Sequence, residues 1–344
     1  MSGVMKLYQA EIRKLLEQEY EISALKIEIL SYSSKIVYLI TGEENEFILD
    51  IYRKKENESS TAYLEDNQFF TEEAIASEIR ILNILARELP HLRTPRIIQT
   101  KVGSLRTLIQ IDQEEEICLL RQYINGVELS KKAPDYLRYA YNAGFIAAQL
   151  HNGSNLYLSE EFFHRPVRRQ DYVNVLIRTI ERGIFAGTIT QKQFNIIRRS
   201  LEFVIQQMNF MDQDSTLLGI VHTDLRDANL VLSGDCLIPI DFGRCVYGYL
   251  LFDLGEMCAH MGGSNPLVPP RIIAGYHSLR RLSVEHLVII EAMMMLFILS
   301  VVSEKILNPK DSYVLQTVKR LTENDLIQLL SGKPVLPGIR EIIQ

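Results

Sequence analysis

The chain has 344 residues, long enough for two lobes rather than one core. Apolar residues make up 47%, which excludes a disordered chain, and the net charge of -6 supplies no basic face for nucleic acid or a membrane surface. The four cysteines (Cys118, Cys236, Cys245, Cys258) form no CxxC pair and follow no secretory signal, so they read as reduced thiols of a cytoplasmic protein.

In chain order, "MSGVMKLYQAEIRKLL" reads as an amphipathic helix. Residues 36–41 (IVYLIT) and 46–52 (EFILDIY) are β-rich runs joined by "GEEN", a hairpin signal. The polar stretch "RKKENESSTAYLEDNQ" reads as a loop. A helix is predicted from Thr71 to Glu88. Thr71 caps it, Glu72 and Glu73 suit its positive end, and Ile75, Ile79, Leu82 and Ala86 line one face. Pro90 and Pro95 stop it, and "TLIQID" and "ICLLRQYI" follow as strands around "QEEE".

Beyond Gly126 helical patterns dominate, at about 134–151, 170–185, 190–211 and 283–306. The most apolar run, residues 287–302, is shorter than a membrane span and contains Glu291, so it reads as a buried helix, with Met293, Met294 and Met295 as core fillers. The predicted class is α+β: a small antiparallel β lobe with one main helix (residues 1–122), then a larger, mostly helical lobe (residues 123–344).

Residues 218–243, "LGIVHTDLRDANLVLSGDCLIPIDFG", interrupt the helical part. Phosphoryl transfer from a nucleotide needs a carboxylate to orient a hydroxyl, oxygen ligands for Mg²⁺, and positive charge for the phosphates. Asp224 is available as the carboxylate. "NLVL", "SGD" and "CLIPI" read as strand, turn, strand, which would bring Asn229 beside Asp241 as an amide and a carboxylate ligand. Turn residues capping a strand would also use Asp and Asn, but that leaves the joint spacing beside His222 unexplained.

"HTDLRDAN" followed by "IDFG" resembles the catalytic and metal motifs of the protein-kinase-like phosphotransferases, and most closely the aminoglycoside phosphotransferase and choline kinase superfamily. The resemblance implies that His222 supports the catalytic loop, Asp224 is the catalytic base, and Asn229 and Asp241 bind Mg²⁺. It extends to "GFIAAQLHN" (144–152) and to "YGYLLFDLGE" (247–256), where Asp253 would brace the catalytic loop. "RQYINGVEL" is similar to the hinge whose backbone meets adenine (Gln122, Tyr123, Ile124), and Glu78 is placed like the small-lobe helix glutamate. Arg226 would brace the loop, and Asp227, Glu256 and Glu291 would receive amines of a cationic substrate. His151 reads as a structural histidine, and His260 and His277 as isolated ones.

Two departures stand out. A Gly-rich loop is absent, and "SYSSK" takes its place, with Ser33 and Ser34 as phosphate contacts. Strand phase puts Asp50 where the family has a basic residue facing the phosphates. Three explanations stay open: a shifted register or bulge that turns Arg53 inward, Lys35 supplying the charge and pairing with Asp50, or a pseudokinase that has lost the phosphate clamp. The first two are preferred because the other catalytic residues are all present.

The implied activity is ATP-dependent O-phosphorylation (GTP as alternative) with Mg²⁺, the acceptor a small hydroxyl-bearing cation and foremost an antibiotic. The alternatives are a metabolic kinase of the homoserine, choline or sugar-alcohol type, or a nucleotide-binding pseudokinase. Nothing like the activation segment of protein kinases follows Asp241. The expected partner is a small molecule, with no nucleic acid or membrane, for a monomer or homodimer.

Overall fold

The structure is a computed structural model that describes residues 8–32, 35–53, 68–154, 164–165, 169–263 and 265–343. It forms two compact units, residues 1–126 and 127–344.

The first unit is built on a five-stranded antiparallel sheet of β1 (Lys26–Tyr32), β2 (Lys35–Thr41), β3 (Glu46–Tyr52), β4 (Thr107–Ile111) and β5 (Glu114–Gln122), in the order β1-β2-β3-β5-β4. Alternation sorts its two faces. Ile36, Tyr38, Ile40, Leu49, Ile51, Cys118 and Leu120 pack with Ile12, Leu15 and Leu16 from α1 (Gln9–Leu15) and the π-helical turn after it. On the other face Tyr52 and Leu119 meet Ile75 and Ile79 of α2 (Glu72–Glu88). Thr71 caps α2 by accepting a hydrogen bond from the Ala74 N–H at 3.2 Å, as its sequence position predicts. The strand β1 is an addition to the expected hairpin. It lies at the sheet edge and buries only Ile27 fully, so its pattern carries little apolar signal.

The second unit is mainly helical: α3 (Tyr136–Ser154), α4 (Gln170–Phe185), α5 (Gln191–Met211), α6 (Leu251–Gly262), α7 (Val268–Leu279), α8 (Val284–Glu304), α9 (Ser312–Arg320) and α10 (Leu326–Leu330). Between α5 and α6 lie β7 (Leu218–Val221), β8 (Leu230–Ser233), β9 (Cys236–Pro239) and β10 (Val246–Tyr249); β6 (Val127–Glu128) pairs with β8. Capping boxes start α5 at Thr190 and α8 at Ser283.

The α3–α7 crossing depends on two glycines. A Cβ on Gly144 would collide with the Ile272 backbone, and one on Gly275 with the Tyr141 backbone, so both helices approach where neither has a side chain. Among the described residues α8 is the one helix long and apolar enough to cross a membrane. Met293, Met294, Met295 and Leu296 on it are buried within the unit's core, against α6. Glu291 on the same helix accepts hydrogen bonds from the backbone N–H groups of Val335 and Leu336, both at 2.7 Å.

Candidate active site

The segment from β7 to β10 folds as the hairpin reading requires. Leu230 pairs with Pro239 and Ser233 with Cys236, with Gly234 in the left-handed turn between them. The register continues past the strands, since the Ile240 N–H donates to the Asn229 carbonyl at 2.9 Å. Asp241 is therefore next in line at the same hairpin end as Asn229.

Asn229 is buried, and its Nδ2 donates to both the Asp224 carbonyl (2.8 Å) and Asp224 Oδ2 (2.7 Å). With the amide nitrogen used on Asp224, Oδ1 is the side-chain acceptor that Asn229 has to offer. Arg226 Nε binds Asp224 Oδ1 at 2.7 Å. It thus engages the carboxylate itself, a more direct role than bracing the loop.

The loop is held in a strained conformation. Thr223 is β-branched yet has φ of 57°, and Asp241 has φ of 59°. The buried Asp253 offsets the first strain: its Oδ2 accepts from the His222 N–H and its Oδ1 from the Thr223 N–H, both at 2.8 Å. Thr223 Oγ1 donates to the Arg244 carbonyl at 2.6 Å. Asp253 Oδ2 also contacts His151 Nε2 at 3.0 Å, and His151 Nδ1 faces the Tyr276 hydroxyl at 3.0 Å. A carboxylate can only accept, so Nε2 carries the His151 proton. Burial pushes the His151 pKa below its ordinary value, opposed by Asp253.

His222 Nε2 contacts the Ile240 carbonyl at 3.1 Å, and its ring meets the Phe242 ring at 4.8 Å between centroids. Those contacts fasten the Asp-Phe-Gly segment to the catalytic loop. Arg165 also reaches that segment, donating to the carbonyls of Gly243 (2.7 Å) and Cys245 (3.0 Å). A lone arginine in a polar stretch gives no sequence signal for this.

Of the residues expected to receive a cationic substrate, Asp227 is engaged by Tyr136, and lies 3.6 Å from Lys131 Nζ. Glu291 must be corrected, because its Oε1 accepts from the backbone N–H groups of Val335 and Leu336 and ties that segment to α8. Glu256 is brought to Asp224: ligand-type oxygens and nitrogens of Asp224, Glu256 and His260 lie within 4.8 Å of one another. His260 is therefore not isolated. Burial, with Arg226 nearby, pushes its pKa down.

In the first unit, Asp50 is fully buried on β3 and forms ion pairs with Lys35 Nζ (3.3 Å) and Arg121. Register explains the pairing. Asp50 stands opposite Val37 and Leu119, so Lys35 on β2 and Arg121 on β5 are its diagonal neighbours on the same face. A shifted register is excluded by the unbroken β2–β3 ladder. The Arg53 alternative must also be corrected, because Arg53 points to the opposite face, binding Asp112 (2.9 Å) and the Tyr8 hydroxyl (2.8 Å), with Glu116 at 3.6 Å. Glu78 is buried on α2 and accepts from the Tyr52 hydroxyl at 3.1 Å. The N–H groups of Gln122 and Tyr123 are used on the carbonyls of Arg96 (2.8 Å) and Glu46 (3.2 Å), so neither N–H is available to a base. Ser33 and Ser34 lie outside the described residues.

A small sheet unit followed by a helical unit that carries this loop and hairpin defines a protein-kinase-like phosphotransferase. Residues 28–284 match the model of the phosphotransferase enzyme family, and the chain belongs to that family. It is a small-molecule phosphotransferase with an alcohol group as acceptor. Among solved structures it is similar to a microcompartment-associated aminopropanol kinase, with 18% identity and a TM-score of 0.72, over 94% of this chain and 98% of that one. It is similar also to an amicoumacin kinase in complex with AMP-PNP, Ca²⁺ and Ami (15% identity, TM-score 0.69, 97% of each chain). A third is a spectinomycin phosphotransferase in complex with ADP and spectinomycin (12% identity, TM-score 0.60, 94% and 97% covered). At these identities the likeness is one of fold. No curated protein sequence matches the chain.

Proposed function

We propose that this chain transfers the γ-phosphoryl group of ATP to a hydroxyl of a small amine-bearing molecule, foremost an antibiotic. The observation that carries the reading is the Asp224–Asn229 hydrogen bond at 2.7 Å, with Asp241 at the same end of the β8–β9 hairpin. An amide oxygen and a carboxylate are hard donors that fit Mg²⁺. Asn229 and Asp241 would hold that ion, which when bound neutralises phosphate charge.

Asp224 accepts a hydrogen bond from the acceptor hydroxyl and orients it, then takes its proton as the new P–O bond forms and the bond to ADP breaks. Arg226 holds the carboxylate in position until the hydroxyl arrives. Lys35 meets the phosphates from β2, and Ser33 and Ser34, which precede it in the sequence, are offered as further phosphate contacts. Asp50, Lys35 and Arg121 together carry one net positive charge, as a single strand lysine would. With the N–H groups of Gln122 and Tyr123 used within the first unit, the Gln122 carbonyl and the Ile124 N–H are the groups offered to adenine.

A metabolic amino-alcohol kinase is the second reading, favoured by the likeness to the aminopropanol kinase. Both readings predict Mg²⁺-dependent stabilisation by ATP in thermal melts and ADP release when an acceptor is added. Asp241→Ala should remove the Mg²⁺ dependence and lower turnover at least about 100-fold. ATP-independent melting together with no ADP release from any amine-bearing alcohol would contradict both.

A further inference from the structure

Phe242–Arg244 form a single 3₁₀ turn between β9 and β10, and Asp241 enters it with left-handed backbone. So short a turn leaves carbonyls without partners inside it, and a buried carbonyl needs a donor. The Phe242 carbonyl accepts from the Cys245 N–H at 3.1 Å, and the Arg244 carbonyl from Thr223 Oγ1 at 2.6 Å. Arg165 Nη1 donates to the carbonyls of Gly243 at 2.7 Å and Cys245 at 3.0 Å, with that of Phe242 at 3.4 Å. Nη1 carries two hydrogens, so the two shorter contacts are the ones it fills.

Arg165 comes from between α3 and α4, 78 residues from Gly243 in the sequence, and only 6% of it is exposed. Desolvating a guanidinium is costly, and here hydrogen bonds concentrated just after Asp241 offset that cost. Both flanks of the turn are anchored to the catalytic loop and the strand before it. Ile240 is bound through its N–H to the Asn229 carbonyl and through its carbonyl to His222 Nε2. Val246 pairs with Val221 in the β10–β7 ladder. Between these anchors, the Arg165 contacts fix the backbone that carries Asp241. Mg²⁺ demands near-ideal octahedral geometry at about 2.0–2.1 Å, whereas Ca²⁺ accepts six to eight ligands in looser arrangements. A small shift of the Asp241 backbone therefore penalises Mg²⁺ more than Ca²⁺.

We infer that Arg165 is a positioning residue for the metal ligand Asp241: by holding the carbonyls of Gly243 and Cys245 it sets the place of the Asp241 carboxylate for Mg²⁺. This rests on the reading of Asn229 and Asp241 as the Mg²⁺ ligands, and adds to it a residue outside both motifs. Arg165 acts through the backbone and touches neither nucleotide nor acceptor in this account.

The test measures Mn²⁺ binding to the full-length protein with AMP-PNP by water-proton relaxation, using Mg²⁺ and Ca²⁺ as competitors. Arg165→Ala should weaken Mn²⁺ and Mg²⁺ about 10- to 100-fold and Ca²⁺ less, while metal-free AMP-PNP binds within about threefold of the unaltered protein. Arg165→Lys keeps the charge and loses the planar fork, and it decides the matter if the alanine variant does not fold. It should melt near the parent and weaken Mg²⁺ more than Ca²⁺. Unchanged Mg²⁺ affinity in a folded variant, equal losses for Mg²⁺ and Ca²⁺, or failure of both variants to fold would overturn the inference and leave Arg165 a residue of stability alone. Asp241→Ala separates this inference from the reading beneath it. If that variant binds Mn²⁺ as the parent does, the metal-ligand reading fails. If it loses Mn²⁺ while Arg165→Ala does not, the Arg165 inference alone fails.

Discussion

Asp50 is the residue on which the small-lobe chemistry turns. A buried carboxylate is costly unless paired, and here Lys35 and Arg121 pair with it from both flanking strands. Strand phase was enough to place Asp50 on one face with Ile48 and Tyr52, and it left Lys35 as one of three explanations that the β2–β3 register then decides between. Arg121 was not legible, because its register against β3 is set by a strand far along the chain and not by local pattern. On the proposed reading Lys35→Ala should raise the KM for ATP about 10- to 100-fold, since it removes a charge-assisted phosphate contact. Arg53→Ala should leave that KM within about twofold, because Arg53 serves Tyr8, Asp112 and Glu116 on the other face. Steady-state kinetics at varied ATP decide between them, and the opposite ranking would refute the Lys35 assignment.

The elements that sequence predicts well are those with local signals. Thr71, Thr190 and Ser283 cap helices whose starts they mark, and the β8–β9 hairpin announces itself through "SGD". The support beneath the catalytic loop is different, because it joins three distant elements. His151 ends α3, Asp253 starts α6 and Tyr276 lies in α7, so the chain of contacts from Tyr276 through His151 to Asp253 exists only once these helices pack. That packing needs Gly144 and Gly275, whose spacing carries no signal of a crossing until both helices are placed. His151 is held neutral, so its folded pKa is lowered and the unfolded chain binds the proton first. Its contribution to stability is therefore present above about pH 6.5, the ordinary histidine value, and is lost as pH falls through it. His286 is shifted in the same direction by burial. Stability should fall between about pH 7.5 and 5.5, by up to about 1.4 kcal/mol per pH unit for each such histidine, and the melting temperature should fall with it. Melts of His151→Gln should show a shallower fall, and an unchanged slope would remove His151 from the account.

At the scale of the whole molecule, the two units divide the proposed work. The first carries Lys35, Glu78 and the Gln122–Ile124 segment for the nucleotide; the second carries Asp224, Asn229 and Asp241 for metal and acceptor. The order of strand-rich and helix-rich parts was readable because hydrophobic period changes from two to 3.6 residues along the chain. The cavity between α6, α8 and α9 was not, since its walls come from those three helices and the C-terminal segment, and nothing local in any of them marks a concave surface. The division of work makes binding and chemistry separable. Asp224→Ala is the most direct measurement of this claim. In the presence of Mg²⁺ and a turned-over acceptor, it should lower kcat by about 100- to 10,000-fold while the Kd for ATP stays within a few-fold of the unaltered protein. Turnover at the unaltered rate would contradict the account, and so would loss of nucleotide binding in a variant that melts as the parent does.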